Sequence, residues 1–439
     1  MQMTMRKIFL FMLILLPLHA DVWNNPHSKE KSASNTLFSS FSLPPKRLDP
    51  VVSYSSNEWA FIGQIYEPPL QYNYLKRPYS LEPLTLIKMP TIRYLDKERQ
   101  EVDENDESVA FSEYRLELRK DVMYQDHPAF VKDAKGHLLY AALSEKALEK
   151  IDRLDDFGKK DTRYLLAEDY AYAIKRMGVR QNHSPILDSM QTYIVGLKTF
   201  SNDISKIAKE KKAEGKVLDL RAYDIAGVKV IDDTTLVIEI KGKYPQFLYW
   251  LTMNFFAPIP WEADLFYQQK GLVAKNLTLN WHPVGTGAYY LAENNPNKQM
   301  RLVKNPNYHE ESFPGLEHED AGKRLPFIDE VIYSLEKESI PLWNKFLQGY
   351  YDASGISSEA FDQAVQICSS GTMGLSEEMQ EKNISLIGSV QPSTFYLAFN
   401  MVDPVVGGYT ESSKKLRQAI SIAIDQEEYI SIFMNERGM

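Results

Sequence analysis

A catalytic chain needs a nucleophile, a base or a set of metal ligands, and in these 439 residues such groups would show themselves by type and spacing. A His-Glu-x-x-His helix would place two imidazoles on one face for zinc. A Gly-x-Ser-x-Gly turn would expose a serine nucleophile, and a loop ending in Gly-Lys-Ser/Thr would cradle phosphate. None of the three occurs. Gly285-Thr286-Gly287 lacks the third glycine of a dinucleotide fingerprint and runs into Ala288-Tyr289-Tyr290, which reads as a strand rather than a helix start. The eight histidines include no pair at metal-ligand spacing. His127, His183 and His282 stand beside Pro or Ser in expected loops and read as solvated or structural groups. With 59 acidic residues, neighbouring carboxylates cannot by themselves nominate an acid–base dyad. The one cysteine, Cys368, has no basic neighbour and reads as a buried structural thiol. No enzyme activity, cofactor or metal is therefore expected, although catalytic groups need not be close in sequence.

The elements that would position any site belong to a large soluble chain. Its length implies two or three domains, and its 44% hydrophobic and 25% charged content is ordinary for a globular protein. The 26 tyrosines, 20 phenylalanines and 6 tryptophans suit a ligand cleft or an interface, and a large core equally. Arg6 and Lys7, the apolar run Ile8 to Leu16, Pro17 and Leu18-His19-Ala20 read as a cleavable signal peptide over 1–20. A run that short cannot cross a bilayer core, which needs about 20 residues. Removing it takes away two positive charges and moves the net charge from −9 to −11, which argues against nucleic acid as a partner. Secretion with a single cysteine fits a bacterial periplasmic protein held by its core rather than by disulfides. Residues 21–45 are polar and Ser-rich and are expected to form a mobile leader.

Further along, residues 58–75 read as a helix closed by Pro68-Pro69 into a short strand, and 96–107 as an acidic hairpin tip. Tyr114, Leu116 and Leu118 alternate with charged residues as a half-buried strand does. Ala167-Glu168-Asp169 opens a helix to about Met177, its acids placed to favour the helix dipole. Residues 226–241 read as two strands about Asp232-Asp233, followed by a helix from Tyr244-Pro245-Gln246-Phe247. Leu325 to Leu335 contains a strand. Leu416, Ala419, Ile420, Ala423 and Ile424 form one apolar helical face. The irregular alternation of helix and strand implies a mixed α/β architecture.

Several short segments, in order, resemble the extracellular solute-binding proteins of the peptide/nickel/oligopeptide type, solute-binding family 5, which feed ABC importers. They are Ile65-Tyr66-Glu67-Pro68-Pro69-Leu70, Tyr114 to Asp126, Leu166-Ala167-Glu168-Asp169-Tyr170, Asp233 to Leu236, Tyr244 to Phe247, Pro283 to Tyr289, Lys304 to Tyr308, Phe399-Asn400-Met401 and Leu416 to Asp425. The resemblance runs over residues 46–439. His127-Pro128 stands where the family has a glycine, and Leu166 stands where it usually has the threonine N-cap.

The resemblance implies an α/β fold of the periplasmic-binding-protein type II class, with two lobes and an inserted subdomain in lobe I. Residues 46–84 and 256–337 would form the lobe I core, 85–255 the insertion, and 338–439 part of lobe II. It implies a monomeric, periplasmic, non-enzymatic component that encloses peptides between its lobes, mainly by backbone hydrogen bonds, and delivers them to inner-membrane permease subunits. Its ligand contacts would include Glu67 of the early segment, Tyr193 as a cleft aromatic, and Asn400 on a strand Phe399-Asn400-Met401 crossing toward the hinge. The structural alternatives are that Glu67, beside two prolines, caps a turn, that Tyr193 packs in the core and that Asn400 fixes a turn. Gly285, Gly287, Asn305, Pro306 and Tyr308 read instead as fold-making. Relatives continue beyond the last helix, so lobe II is expected to be incomplete, with an uncovered apolar face. The alternatives are the same fold holding a nickel chelate, haem, a sugar or a peptide antibiotic, a secreted hydrolase, or a non-functional truncated fragment.

Overall fold

The computed structural model describes residues 25–315, 317–367, 373–390 and 393–438. The expected signal peptide and Cys368 lie outside the described residues. The described residues divide into two compact units: 27–335, and a second made of the described residues of 336–438 together with residues 25 and 26.

In chain order the first unit contains β1 (Thr36–Phe41), α1 (Ser56–Ile65), β2 (Leu70–Tyr72), β3 (Leu81–Pro83), β4 (Thr91–Leu95), β5 (Glu101–Val102) and β6 (Phe111–Glu117). Helices α2 (Ala167–Gly178), α3 (Leu187–Tyr193) and α4 (Leu197–Ala213) follow, then β7 (Val228–Asp232), β8 (Thr235–Lys241), α5 (Phe247–Trp250) and α6 (Trp261–Tyr267). Strands β9 (Tyr289–Asn295), β10 (Gln299–Lys304) and β11 (Glu330–Leu335) close the unit.

One sheet has the order β1-β11-β10-β9, with β1 parallel to β11 and the remaining pairs antiparallel. The other is antiparallel, β5-β4-β6-β8-β7. β2 and β3 make a separate hairpin. Strand β1 corrects the expectation of a mobile leader. Thr36 to Phe41 pairs residue for residue with Glu330 to Leu335, and this backbone pairing orders a segment whose side chains show no apolar period.

The patterns explain the layers. In β6, Ser112, Tyr114 and Leu116 are buried and Arg115 is exposed, as period-2 alternation requires. β8 is central and is buried from Thr235 to Ile240, so it reads as a nearly continuous apolar run. Its exception, Glu239, is ion-paired with Arg99. α2 is buried at every position except Glu168, so it needs polar partners inside the protein. Asp169 accepts the N–H of Leu166 at 2.9 Å, the return half of a capping box, while the Leu166 side chain offers no oxygen to the first turn. Arg163 bridges Asp169 (2.7 Å) and Glu262 (2.6 Å), and Arg176 bridges Asp49 (2.8 Å) and Asp264 (2.8 Å).

The second unit has α7 (Ser339–Leu347), a two-stranded ribbon of β12 (Val365–Ile367) and β13 (Met373–Leu375), and helices α8 (Glu411–Ala423) and α9 (Gln426–Met434). A small core gathers Trp343, Ala360, Ala364, Leu375 and Met379. The α8 helix forms where its periodicity places it, with Thr410 accepting the N–H of Ser413 at its N-terminus. Along its apolar face Leu416, Ala419, Ala423 and Ile424 are exposed and Ile420 is half-buried. Phe395 and Tyr409 are exposed at 91% and 92%. Residues 399–401 do not form the expected strand. Asn400 turns the chain instead: its Oδ1 accepts the N–H of Val402 at 3.2 Å, and its carbonyl accepts that of Asp403 at 3.1 Å.

Candidate functional site

Four segments far apart in sequence converge at the C-terminal end of α1. The N–H of Gly287 donates to the carbonyl of Ile65 at 2.8 Å, and the N–H of Val284 to the Tyr66 hydroxyl at 3.1 Å. Gln125 exchanges two bonds with Gly285: its N–H donates to the Gly285 carbonyl at 3.0 Å, and its Oε1 accepts the Gly285 N–H at 3.2 Å. Asn305 Nδ2 donates to the Gly287 carbonyl at 3.0 Å while its Oδ1 accepts the Asn307 N–H at 3.0 Å. Asn307 Nδ2 then reaches the Tyr124 carbonyl (3.0 Å) and Asp126 (2.8 Å). The glycines and Asn305 are therefore structural, as their residue types suggest.

Glu67 leaves this junction with its carboxylate turned inward. Only 4% of the residue is exposed, and Oε1 lies 2.7 Å from His309 Nε2, itself buried. The Glu67 carbonyl accepts from the Tyr170 hydroxyl at 3.2 Å, and that hydroxyl also bonds Thr85 Oγ1 at 2.5 Å. Among the described residues Glu67 Oε2 and His309 Nδ1 are buried without a hydrogen-bond partner. Alongside, Arg119 grips Asp121 through two bonds of 3.0 and 2.6 Å, and Tyr308 donates to Glu311. Burial pushes the His309 imidazolium toward losing its proton, but the bond to Glu67 and the charge of Glu67 outweigh it, so its pKa is raised. Burial, with the charges of Glu67 and Glu311, pushes the Tyr308 phenol far above its usual range. In this conformation Glu67 holds the loop after β10 rather than facing solvent.

Tyr193, the last residue of α3, is half-buried and stacks on Tyr244 with centroids 4.1 Å apart and planes 5° from parallel. The Tyr244 hydroxyl accepts from Trp250 Nε1 at 3.1 Å. Asn400 is exposed in the second unit. His127, placed in a loop by its sequence, is buried. Its Nδ1 accepts the Ala129 N–H at 3.1 Å, which leaves Nε2–H to meet the Tyr267 hydroxyl at 2.9 Å, and burial lowers its pKa to about 3. A pocket of about 380 Å³ opens on the five-stranded sheet between Arg93, Glu113, Glu239, Arg99 and Lys229. Arg93 pairs with Glu101 and Glu113, and Arg99 with Glu239, so most of its charge is satisfied internally. Among the described residues no group of three or more His, Cys, Asp or Glu side chains is placed to hold a metal ion.

Sequence reasoning singled out Glu67 but not His309, Arg119 or Glu311. The one available signal was the position of His309, immediately after the Asn305-Pro306-Asn307-Tyr308 segment.

The family model for bacterial extracellular solute-binding proteins, family 5 Middle, matches residues 160–439. The chain belongs to that family. The described residues show the mixed α/β architecture expected from the sequence. Family members are extracellular or periplasmic solute-binding components of transport systems. No helix among the described residues is long and apolar enough to cross a membrane. No curated protein matches the chain. It is similar to the substrate-binding domain of an oligopeptide ABC transporter from Bacillus anthracis str. Ames: 15% identity, TM-score 0.47, 75% of this chain and 47% of that one. It is also similar to the ABC transporter-associated periplasmic binding protein DppA from Helicobacter pylori, solved with the peptide STSA: 15%, 0.47, 75% and 48%. A third is OppA from Haemophilus influenzae in complex with RPPGFSPFR: 16%, 0.45, 75% and 48%. The chain spans about half the length of these solved structures.

Proposed function

We propose that this family 5 chain is the periplasmic solute-binding component of an ABC importer, that its solutes are peptides, and that it passes them unmodified to permease subunits in the inner membrane. The observation that carries the reading is the family match over residues 160–439. Peptides are favoured among the family's solutes because the solved proteins similar to this chain include one bound to STSA and one bound to RPPGFSPFR.

Within this reading, residues 46–84 with 256–337 form one subdomain and 85–255 is inserted into it. Tyr193 and Asn400 are the side chains we assign to ligand contact, one as an aromatic wall and one as an amide that can bond a peptide backbone group. Glu67 contributes by fixing the loop that carries His309.

A thermal-shift titration of the purified chain with a pool of di- to octapeptides tests the proposal. A ligand that binds only the folded state raises the midpoint as its concentration passes the dissociation constant. A saturable rise supports peptide binding. A cooperative melt that no peptide moves overturns it.

A further inference from the structure

The Glu67–His309 contact stands at the root of a short hairpin. Glu67 is followed by Pro68-Pro69 and then by the β2–β3 hairpin, residues 70–83. The hairpin carries Tyr72, Tyr74, Leu75 and Tyr79, all exposed at 42% to 46%. Its outer end touches the loop that His309 begins: Tyr74 packs on Phe313 with ring centroids 6.0 Å apart, and Leu75 lies against Gly315. The buried polar bond at the root therefore joins the same two segments that meet again through apolar contacts at the tip.

The pair is held in an environment that responds to the histidine proton. Glu67 faces the imidazole directly. Arg119 and Asp121, just beyond β6, lie beside it as a bonded pair, and Tyr308 and Glu311 flank it on its own loop. Tyr170, from α2, touches the backbone of Glu67. Of these, Glu67 and Glu311 favour the imidazolium and Arg119 opposes it. When His309 is protonated the contact is a buried ion pair. When it is neutral, Glu67 keeps one hydrogen bond from an uncharged donor, and among the described residues its other oxygen, Oε2, has no partner to offset the lost positive charge.

We propose that Glu67 and His309 form a pH-operated latch that holds the tyrosine-bearing hairpin 70–83 against the 309–315 loop, closed on protonation of His309 and loosened on its deprotonation. The latch is a positioning device. It sets whether the four exposed apolar side chains of the hairpin are presented in one fixed arrangement, and it does so independently of which solute the chain carries.

The test is hydrogen exchange on the full chain at about pH 5.5 and about pH 8.5, corrected for intrinsic rates, with NMR titration of the His309 ring. We expect exchange in segments 70–84 and 309–315 to be at least about threefold faster at the higher pH, with no change in α2. His309 should titrate above the ordinary histidine value. In Glu67→Gln its titration should move down, and in His309→Gln the exchange of the hairpin should lose its pH dependence. Wild-type protein alone decides the matter if the variants do not fold. A His309 that titrates at or below the ordinary value, or a hairpin protected equally at both pH values, overturns the latch.

Discussion

The carbonyl oxygen of Ile65 stands 1.9 Å from the point a β-carbon on Gly285 would occupy. The end of α1 and the Pro283 to Tyr289 segment thus touch backbone to backbone, and only hydrogen fits between them. Gly287 repeats the arrangement at 2.5 Å from the Gln64 carbonyl. Backbone cannot yield as a flexible side chain can, so Gly285→Ala should cost at least about 3 kcal/mol. Gly158→Ala, where an added β-carbon meets nothing within 4 Å, should change stability by less than about 0.5 kcal/mol. Urea unfolding midpoints of the two variants check this. Equal midpoints would show that the close approach is relaxed in solution.

That junction also shows what could be read in advance. Glycines, prolines and asparagines at 283–287 and 305–308 announced tight backbone geometry because only those residue types permit it. The strands β6 and β8 and the helices α1, α2 and α8 were legible from period and end signals, which are local. Two things were not local. Strand β1 is held by pairing with β11, nearly 300 residues away, and nothing in Thr36 to Phe41 itself reports a partner. His309 meets Glu67 across 242 positions, and a lone histidine carries no sequence mark of the carboxylate it will find. The expectation for Phe399-Asn400-Met401 failed for the opposite reason. A strand needs a neighbour, and the local turn made by Asn400 and Asp403 prevails where the described residues offer none.

Arg176 is a second place where one residue carries several others. Its guanidinium binds Asp49 through two bonds and Asp264 through one, and Asp264 also accepts from Tyr172 at 2.8 Å and Gln268 at 2.7 Å. Arg176→Met leaves two buried carboxylates without a cation and should cost about 3–5 kcal/mol. Arg176→Lys keeps the charge but loses the planar fork and should fall between that variant and wild type. Arg93→Met, on the exposed surface, should lie within about 1 kcal/mol of wild type. Unfolding midpoints in that order support the assignment; an Arg176→Met variant as stable as Arg93→Met would refute it.

Tyr193 offers a separation of structure from binding. Its ring is flat against Tyr244, whose hydroxyl is fixed by Trp250. An aromatic pair contributes about 0.5–1.5 kcal/mol beyond its buried area. Tyr193→Phe keeps the stack and should melt within a degree or two of wild type, whereas Tyr193→Leu should lose about that increment. If Tyr193 contacts solute, as proposed, Tyr193→Leu will also weaken peptide binding in the thermal-shift titration by more than its stability loss accounts for. A loss of stability with unchanged affinity would return Tyr193 to the core.

Acid should expose the cost of the buried histidines, with a sign opposite to that of His309. His127 is held neutral by burial with its pKa lowered to about 3, and His282 to about 4. Unfolded, each takes up a proton near the ordinary histidine value of 6.5. Between those limits the unfolded chain binds more protons than the folded one, so stability must fall as pH falls, by up to about 1.4 kcal/mol per pH unit for each group. His309, with its pKa raised, contributes in the reverse sense: its stabilisation is complete below the unfolded histidine value and is lost as pH climbs through the folded one. Urea titrations from about pH 4 to about pH 9 should therefore show stability rising from the acid side and bending downward beyond neutrality. His127→Gln should flatten the acid limb and leave the alkaline bend, while His309→Gln should do the reverse. If both substitutions altered the same limb, the opposite charge states assigned to these two buried imidazoles would be wrong.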